Sequence, residues 1–142
     1  MFQMKASMTT ELFYLLFTAI LTGVLWIPVV IGYVLARGPL KPSDYKVAPT
    51  SPLPAWVNRA NRAQINAVEN LATFATVVLI AHAAEVTTSI TVASAAVYFY
   101  ARAAHAVVHI TGFSLFSART VLFTIAWIAF LTFAIELLRK TL

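Results

Sequence analysis

Ionisable and amide side chains recur at helical spacing along two otherwise apolar segments of this chain. The first segment carries Arg59, Arg62, Asn66, Glu69, Thr73 and Thr76. The second carries Tyr98, Arg102, His105 and His109. At 100° per residue, each set forms one narrow stripe on a helix. Arginine binds carboxylates through paired hydrogen bonds, and a lone glutamate suits an ammonium group. The stripes predict a site for an anion with a smaller cationic part.

Each polar residue of the stripes also has a structural interpretation. Glu69 can form an ion pair with Arg102 or Arg62, and this role is compatible with ligand binding. Asn66 and Asn70 can form hydrogen bonds between helices. Arg37, Arg59 and Arg62 can also mark the membrane surface, because long basic side chains reach towards water. These alternatives stay open at the level of sequence.

Two histidines four residues apart raise the question of a metal site. His105 and His109 lie on one helical face, but no Cys, Asp or Glu accompanies them there. Metal sites usually combine histidine with such ligands. The pattern therefore does not predict a metal.

The composition indicates which class of protein must position these residues. The 142 residues are 61% hydrophobic and 11% charged, with a net charge of +5 and no cysteine; the mean hydropathy is +0.83. Soluble domains are about 45–50% apolar and about 25% charged. These values exclude a soluble enzyme, a disordered tail and a nucleic-acid-binding domain, and the absence of cysteine excludes disulfides and a Cys nucleophile.

Four apolar segments predict one all-α membrane domain over residues 1–142, a bundle of four transmembrane helices. We expect helices at about 12–36, 57–84, 88–110 and 118–138, with a long loop at about 37–56 that holds five of the six prolines. Pro28 and Gly32 are expected to bend the first helix. Thr87 or Thr88 is the candidate N-cap of the third helix.

The distribution of lysine and arginine predicts the orientation in the membrane. The long loop and the adjoining helix ends are rich in basic residues, whereas the opposite side has only Lys5, Arg139 and Lys140. Because basic loops remain in the cytoplasm, we expect the long loop there and both termini outside. Membrane lipids are the expected surroundings.

The two polar stripes cannot face lipid at low cost. Each charged group at mid-membrane would cost roughly 2.5–3.5 kcal/mol. We therefore expect both stripes to face the bundle interior, a subunit interface or a water-filled cavity. Glu69 should lie roughly 15 Å deep as a buried carboxylate, at about the same depth as Arg102. Arg37 and Arg119 should lie near the same cytoplasmic surface.

Residues 58–70 read N-R-A-N-R-A-Q-I-N-A-V-E-N. This segment resembles the helix-2 signature of the MAPEG superfamily, the membrane-associated proteins of eicosanoid and glutathione metabolism, which is roughly E-R-x-x-R-A-H-x-N-x-x-E-N. Asn58 replaces the leading Glu, and Gln64 replaces the His. An Arg-x-x-His in helix 3 and Arg119 at the start of helix 4 also fit. The resemblance covers residues from about 12 to 138.

The resemblance implies a homotrimer that binds glutathione between adjacent subunits near the cytoplasmic leaflet. It implies contacts to glutathione from Arg62, Asn66 and Glu69, with Gln64 at the His position. Arg37 would meet a carboxylate of glutathione, and His109 stands where a helix-3 Tyr is found. Arg119 would lie beside the thiol as the catalytic residue. The thiolate would then attack a lipophilic small molecule that arrives from the bilayer.

One departure from the family pattern leaves the activity open. Several active members have a Tyr one turn after the helix-4 Arg, and this chain has Phe123 there, with Thr120 beside Arg119. The first interpretation is a glutathione-dependent transferase or peroxidase. The second is a non-catalytic MAPEG-like protein that binds lipid or glutathione. The third is a small four-helix exporter, disfavoured because helix 1 carries no carboxylate between Glu11 and Arg37.

Overall fold

The chain folds into an all-α bundle. The computed structural model describes residues 8–47 and 50–142, and no strand occurs among them. The helices are α1 (Thr10–Val24), α2 (Trp26–Arg37), α3 (Ala55–Ala83), α4 (Ser89–Thr111) and α5 (Ala118–Thr141), with short 3-10 helices at Pro42–Tyr45 and Leu115–Ser117. Since α1 and α2 form one apolar stretch, the bundle has four helices, which confirms the predicted fold class. Lys5 lies outside the described residues.

The break between α1 and α2 falls at Leu25, less than one turn before Pro28. Proline has no N–H to donate to the carbonyl four residues earlier, and its ring crowds that carbonyl. The N–H of Leu25 still donates to Leu21 O at 3.2 Å, so one helical hydrogen bond is kept at the break between α1 and α2. Further along α2, a Cβ at Gly32 would overlap the Val57 side chain. A residue without a side chain therefore lets α2 approach α3 closely.

Three stretches in the described part of the chain are long and apolar enough to cross a membrane: Thr10–Arg37, Ala55–Ala83 and Ala118–Thr141. α4 has 23 residues, a length of roughly 35 Å, which also suffices to span a bilayer. It is less apolar because it carries the second polar stripe. Such a helix fits a membrane bundle only if its polar face is turned inward.

α4 packs against α1, α3 and α5. The rings of Phe74 and Tyr98 stack with centroids 3.8 Å apart, and Phe133 meets Phe74 edge-on at 6.4 Å. Alanines fill much of the rest of the buried contact, which allows close helix packing.

Both ends of α4 have defined caps. Of the two candidate threonines, Thr88 is the N-cap: its hydroxyl accepts from Thr91 N at 3.1 Å, and Thr91 Oγ1 accepts from Thr88 N at 2.9 Å. Thr91 Oγ1 also donates to the buried carboxylate of Glu11 at 2.6 Å, which ties α1 to α4. The opposite end stops at Gly112, whose φ is +78°. Glycine adopts this left-handed conformation without penalty.

Candidate functional site

The polar stripe on α4 faces the bundle interior. Tyr98, Arg102, His105 and His109 are each at most 9% exposed. This is one of the three environments that the sequence predicts for the stripes. The interior of the bundle therefore holds a guanidinium and two imidazoles between α3, α4 and α5.

Arg102 is bound by Asn66 of α3. Its Nη2 donates to Asn66 O at 3.0 Å and to Asn66 Oδ1 at 2.9 Å. Asn70 Nδ2 also donates to Asn66 O, at 2.8 Å, and Tyr98 Oη donates to Asn70 O at 3.0 Å. The bonds from Arg102 and Tyr98 join α3 to α4. The side chain of Asn66 therefore bonds between helices, whereas the side chain of Asn70 bonds within α3 and only its backbone oxygen contacts α4. Nη1 of Arg102 is buried and has no hydrogen-bond partner among the described residues.

The polar stripe on α3 lies largely on the outside of the single chain. Arg62, Glu69, Thr73 and Thr76 are all exposed. The expectation of a buried Glu69 carboxylate is therefore wrong for one chain, and so is the pairing of Glu69 with Arg102. The reason is that Asn66, one turn earlier, faces α4 and occupies Arg102, which leaves Glu69 on the outward side. Within residues 8–47 and 50–142, the one ion pair joins Glu136 and Arg139.

A cavity of about 240 Å³ lies between α3, α4 and the start of α5. Its lining consists of Asn66, His105, His109, Arg119, Thr120 and Phe123. We call it the inner cavity. Among residues 8–47 and 50–142, no carboxylate lines it, and the only hydroxyl is that of Thr120. It brings together three of the predicted site residues: Asn66, His109 and Arg119.

A second cavity of about 300 Å³ adjoins the inner cavity at the end of α4, and we call it the outer cavity. It shares three lining residues with the inner one: His109, Arg119 and Thr120. Nδ1 of His109 is buried and has no hydrogen-bond partner in the described part of the chain. Arg119 is exposed and makes no hydrogen bond or ion pair with a described residue. Both cavities therefore present unpaired polar groups and positive charge.

A third cavity, of about 300 Å³, continues from Phe123 towards the middle of α5. Its wall combines polar groups of α3 and α4 with an apolar floor: Asn70, Thr73, Tyr98, Arg102, Phe123, Ala126, Trp127 and Phe130. Phe123 lines both this cavity and the inner one. The arrangement places the cationic group of Arg119 beside a cavity with an apolar floor.

The other predicted site residues do not join Arg119 in lining the inner or the outer cavity of the single chain. Arg37 ends α2, where its Nη2 donates to Ser51 O and its Cζ lies 5.3 Å from the Tyr33 ring centroid. α2 packs against α1 and α3 and makes no contact with α4 or α5 among the described residues. Four of the predicted site residues line neither the inner nor the outer cavity: Arg37, Arg62, Gln64 and Glu69.

Three residues that line the inner cavity are absent from the predicted site: His105, Thr120 and Phe123. The sequence singles out Phe123 only as a departure from the family pattern. His105 lies on the same stripe as His109, one turn earlier, so the stripe itself carried the signal. Thr120 follows Arg119 directly, and its hydroxyl is visible in the sequence. Arg59 also has a contact that no sequence pattern gives: its guanidinium donates to two carbonyls of α4, those of Ile110 and Thr111.

Comparison with known proteins gives one match. The model of the MAPEG family matches residues 12–139, nearly the whole chain. No curated protein and no solved structure shows a significant match.

Proposed function

The chain belongs to the MAPEG family, and we propose that it is a membrane-embedded, glutathione-dependent transferase or peroxidase acting on lipophilic electrophiles. Membership in this family supports a membrane function in glutathione-dependent transfer or lipid metabolism. The observation that carries the more specific proposal is the position of Arg119. Among the described residues, it lines a cavity without a carboxylate, next to a cavity whose floor of Phe123, Ala126, Trp127 and Phe130 is apolar.

The chemistry follows from the charge on Arg119. Glutathione carries two carboxylates, one ammonium group and a thiol. A guanidinium beside the sulfur stabilises the thiolate over the thiol and lowers the pKa of the thiol. α5 begins without a side-chain cap, so its free N–H groups and helix dipole add positive potential at the same place. In the transferase reaction, the sulfur forms a bond to carbon of the electrophile while the bond to the leaving group breaks.

Asn66 can donate to the ligand through its side-chain amide. Its Oδ1 accepts from Arg102, which leaves the Nδ2 group to donate. We propose that it donates to a carboxylate of glutathione. His109, with its buried Nδ1, lines the same cavity and supplies a second polar contact.

We propose that the site is completed by an adjacent subunit of a homotrimer. Arg62 and Glu69 are exposed on α3, within a stretch long and apolar enough to cross a membrane, and lipid contact at mid-membrane would cost roughly 2.5–3.5 kcal/mol per charge. In their own chain, Arg37, Arg62, Gln64 and Glu69 line neither of the two cavities that Arg119 lines. We propose that they reach the same ligand from a neighbouring copy. In this assembly the long loop lies in the cytoplasm and both termini lie outside.

Phe123 favours a second candidate function, a non-catalytic protein that binds glutathione or lipid. Its ring lines the cavity beside Arg119 and offers no hydroxyl to the sulfur. Two experiments on the detergent-solubilised protein separate the candidates. Calorimetry with glutathione tests binding, and a conjugation assay with an aryl halide tests catalysis. Binding without conjugation supports the second candidate, and absence of binding contradicts the glutathione site itself.

A further inference from the structure

Arg59 reaches from the start of α3 to the end of α4. Its Nε donates to Ile110 O at 3.1 Å, and its Nη2 donates to Thr111 O at 3.5 Å. The last four carbonyls of any α-helix lack partners within the helix. The Arg59 guanidinium therefore donates to two of these carbonyls in α4. Arg59 and Ile110 are 51 positions apart in the sequence.

The same guanidinium lies against Gly112. A Cβ built on Gly112 would be 2.9 Å from both Cζ and Nε of Arg59. Real Cβ atoms essentially never approach another atom so closely, so a side chain at position 112 would displace the Arg59 guanidinium. Gly112 also has a φ of +78°. Its backbone conformation favours glycine, and the absence of a side chain leaves room for Arg59.

The segment that Arg59 holds leads directly to Arg119. Arg119 follows Gly112 by seven positions. Ser117, just before α5, has a φ of +52°, which is uncommon for a residue with a side chain. Arg59, Gly112, Ser117 and Arg119 line one cavity, the outer one. A displacement of the segment between α4 and α5 would therefore move the start of α5 and its guanidinium.

We propose that Arg59 is a positioning residue, which clamps the segment from Gly112 to Ser117 and thereby sets Arg119 against the inner cavity. The inference rests on the proposed role of Arg119 at the glutathione sulfur. Lysine would not replace Arg59 fully, because only the planar guanidinium offers two adjacent donors in fixed geometry. Arg59 itself touches neither sulfur nor electrophile.

The clamp is tested first without any ligand. Hydrogen exchange is measured on the full-length protein in detergent for wild type, Arg59→Gln and, as the control, Lys140→Gln, which removes an exposed charge at the end of α5. In Arg59→Gln, but not in Lys140→Gln, we expect hydrogen exchange at least tenfold faster than in wild type in peptides that cover residues 110–120. Unchanged exchange in those peptides would overturn the clamp, whatever the protein does with glutathione.

The effect on Arg119 is tested with bound glutathione. We expect Arg59→Gln to raise the pKa of the bound thiol and to lower kcat at least tenfold, with a smaller change in the KM for glutathione. Arg59→Lys should recover part of the loss, and Gly112→Ala, which displaces the guanidinium, should reproduce it. If Arg59 acts through Arg119, the double variant Arg59→Gln/Arg119→Leu should turn over no more slowly than Arg119→Leu alone.

The outcomes distinguish the clamp from the proposed function. If wild type neither binds nor ionises glutathione, the proposed function fails, and the clamp is decided by the hydrogen exchange. If wild type ionises glutathione but Arg59→Gln has the same thiol pKa, the positioning role is overturned. The positioning role is also overturned if the fold-loss of turnover in the double variant equals the product of the losses in the two single variants. That result would show that Arg59 acts independently of Arg119.

Discussion

The guanidinium of Arg102 is bound twice by Asn66, through the backbone oxygen at 3.0 Å and the amide oxygen at 2.9 Å. Arg102 is 5% exposed, so its charge sits inside the bundle with a neutral partner. This contact joins α3 to α4 beside the inner cavity. It also fixes which face of α3 turns inward and which face, with Glu69, turns outward.

We expect Asn66→Ala to destabilise the fold, because it removes one acceptor from a buried charge. Loss of a hydrogen bond to a charged group costs roughly 1.5–3 kcal/mol. Thermal unfolding in mild detergent checks this. The matched control is Thr76→Ala, whose hydroxyl bonds only within its own helix, to Ala72 O at 2.8 Å. Equal melting temperatures for the two variants would contradict the importance of the Arg102 contact.

We predict that the protein is a homotrimer. In a membrane, the exposed charges of Arg62 and Glu69 on α3 would be shielded from lipid by a neighbouring subunit. The proposed site also requires that subunit, because it is to supply the predicted residues that do not line the cavities. Light scattering of the protein in mild detergent, corrected for bound detergent, should give three times the chain mass of 15.5 kDa. A monomeric mass under these conditions would count against the shared site.

Glu69→Gln should weaken glutathione binding although Glu69 lies away from Arg119 within one chain. The carboxylate is proposed to bind the ammonium group of glutathione from the neighbouring subunit, and a hydrogen bond to a charged group is worth roughly 1.5–3 kcal/mol. The dissociation constant should therefore rise at least about tenfold in calorimetry. Lys140→Gln serves as the control. Wild-type affinity in Glu69→Gln would remove this residue from the site.

The sequence predicts the helical fold well because hydrophobic length and helical periodicity are local properties. The inward face of α4 follows from the same periodicity, since its four polar residues share one face. Thr88 as N-cap also follows from a local pattern. The family could be identified because the motif around Arg62 and Glu69 lies within thirteen consecutive residues.

The contacts of individual charges could not be predicted from the sequence in the same way. The sequence predicts similar depths for Glu69 and Arg102, yet the rotation of α3 turns Asn66 and not Glu69 towards Arg102. That rotation depends on packing between helices, including the stacking of Phe74 on Tyr98. The contact of Arg59 with the end of α4 is a tertiary contact as well. A basic residue near a membrane surface does not by itself predict such a contact.

Phe123→Tyr should increase the rate of conjugation. The ring lines the inner cavity with Arg119, so a hydroxyl there can donate to the developing thiolate. One such bond is expected to raise the rate by about tenfold, equivalent to ~1.4 kcal/mol. Phe130→Tyr is the control, because Phe130 lines the neighbouring cavity but not the inner one. A rate in Phe123→Tyr no higher than in wild type would contradict this account of the missing hydroxyl.

The central claim is that Arg119 stabilises the glutathione thiolate, and thiolate absorbance of bound glutathione against pH tests it most directly. In Arg119→Leu the pKa of the bound thiol should rise towards that of free glutathione. Turnover should fall by roughly 10²–10³, the usual effect of losing one contact to a developing anion, with a smaller change in the dissociation constant. Wild type should show a thiol pKa below that of free glutathione. The same thiol pKa in wild type and Arg119→Leu would contradict the claim.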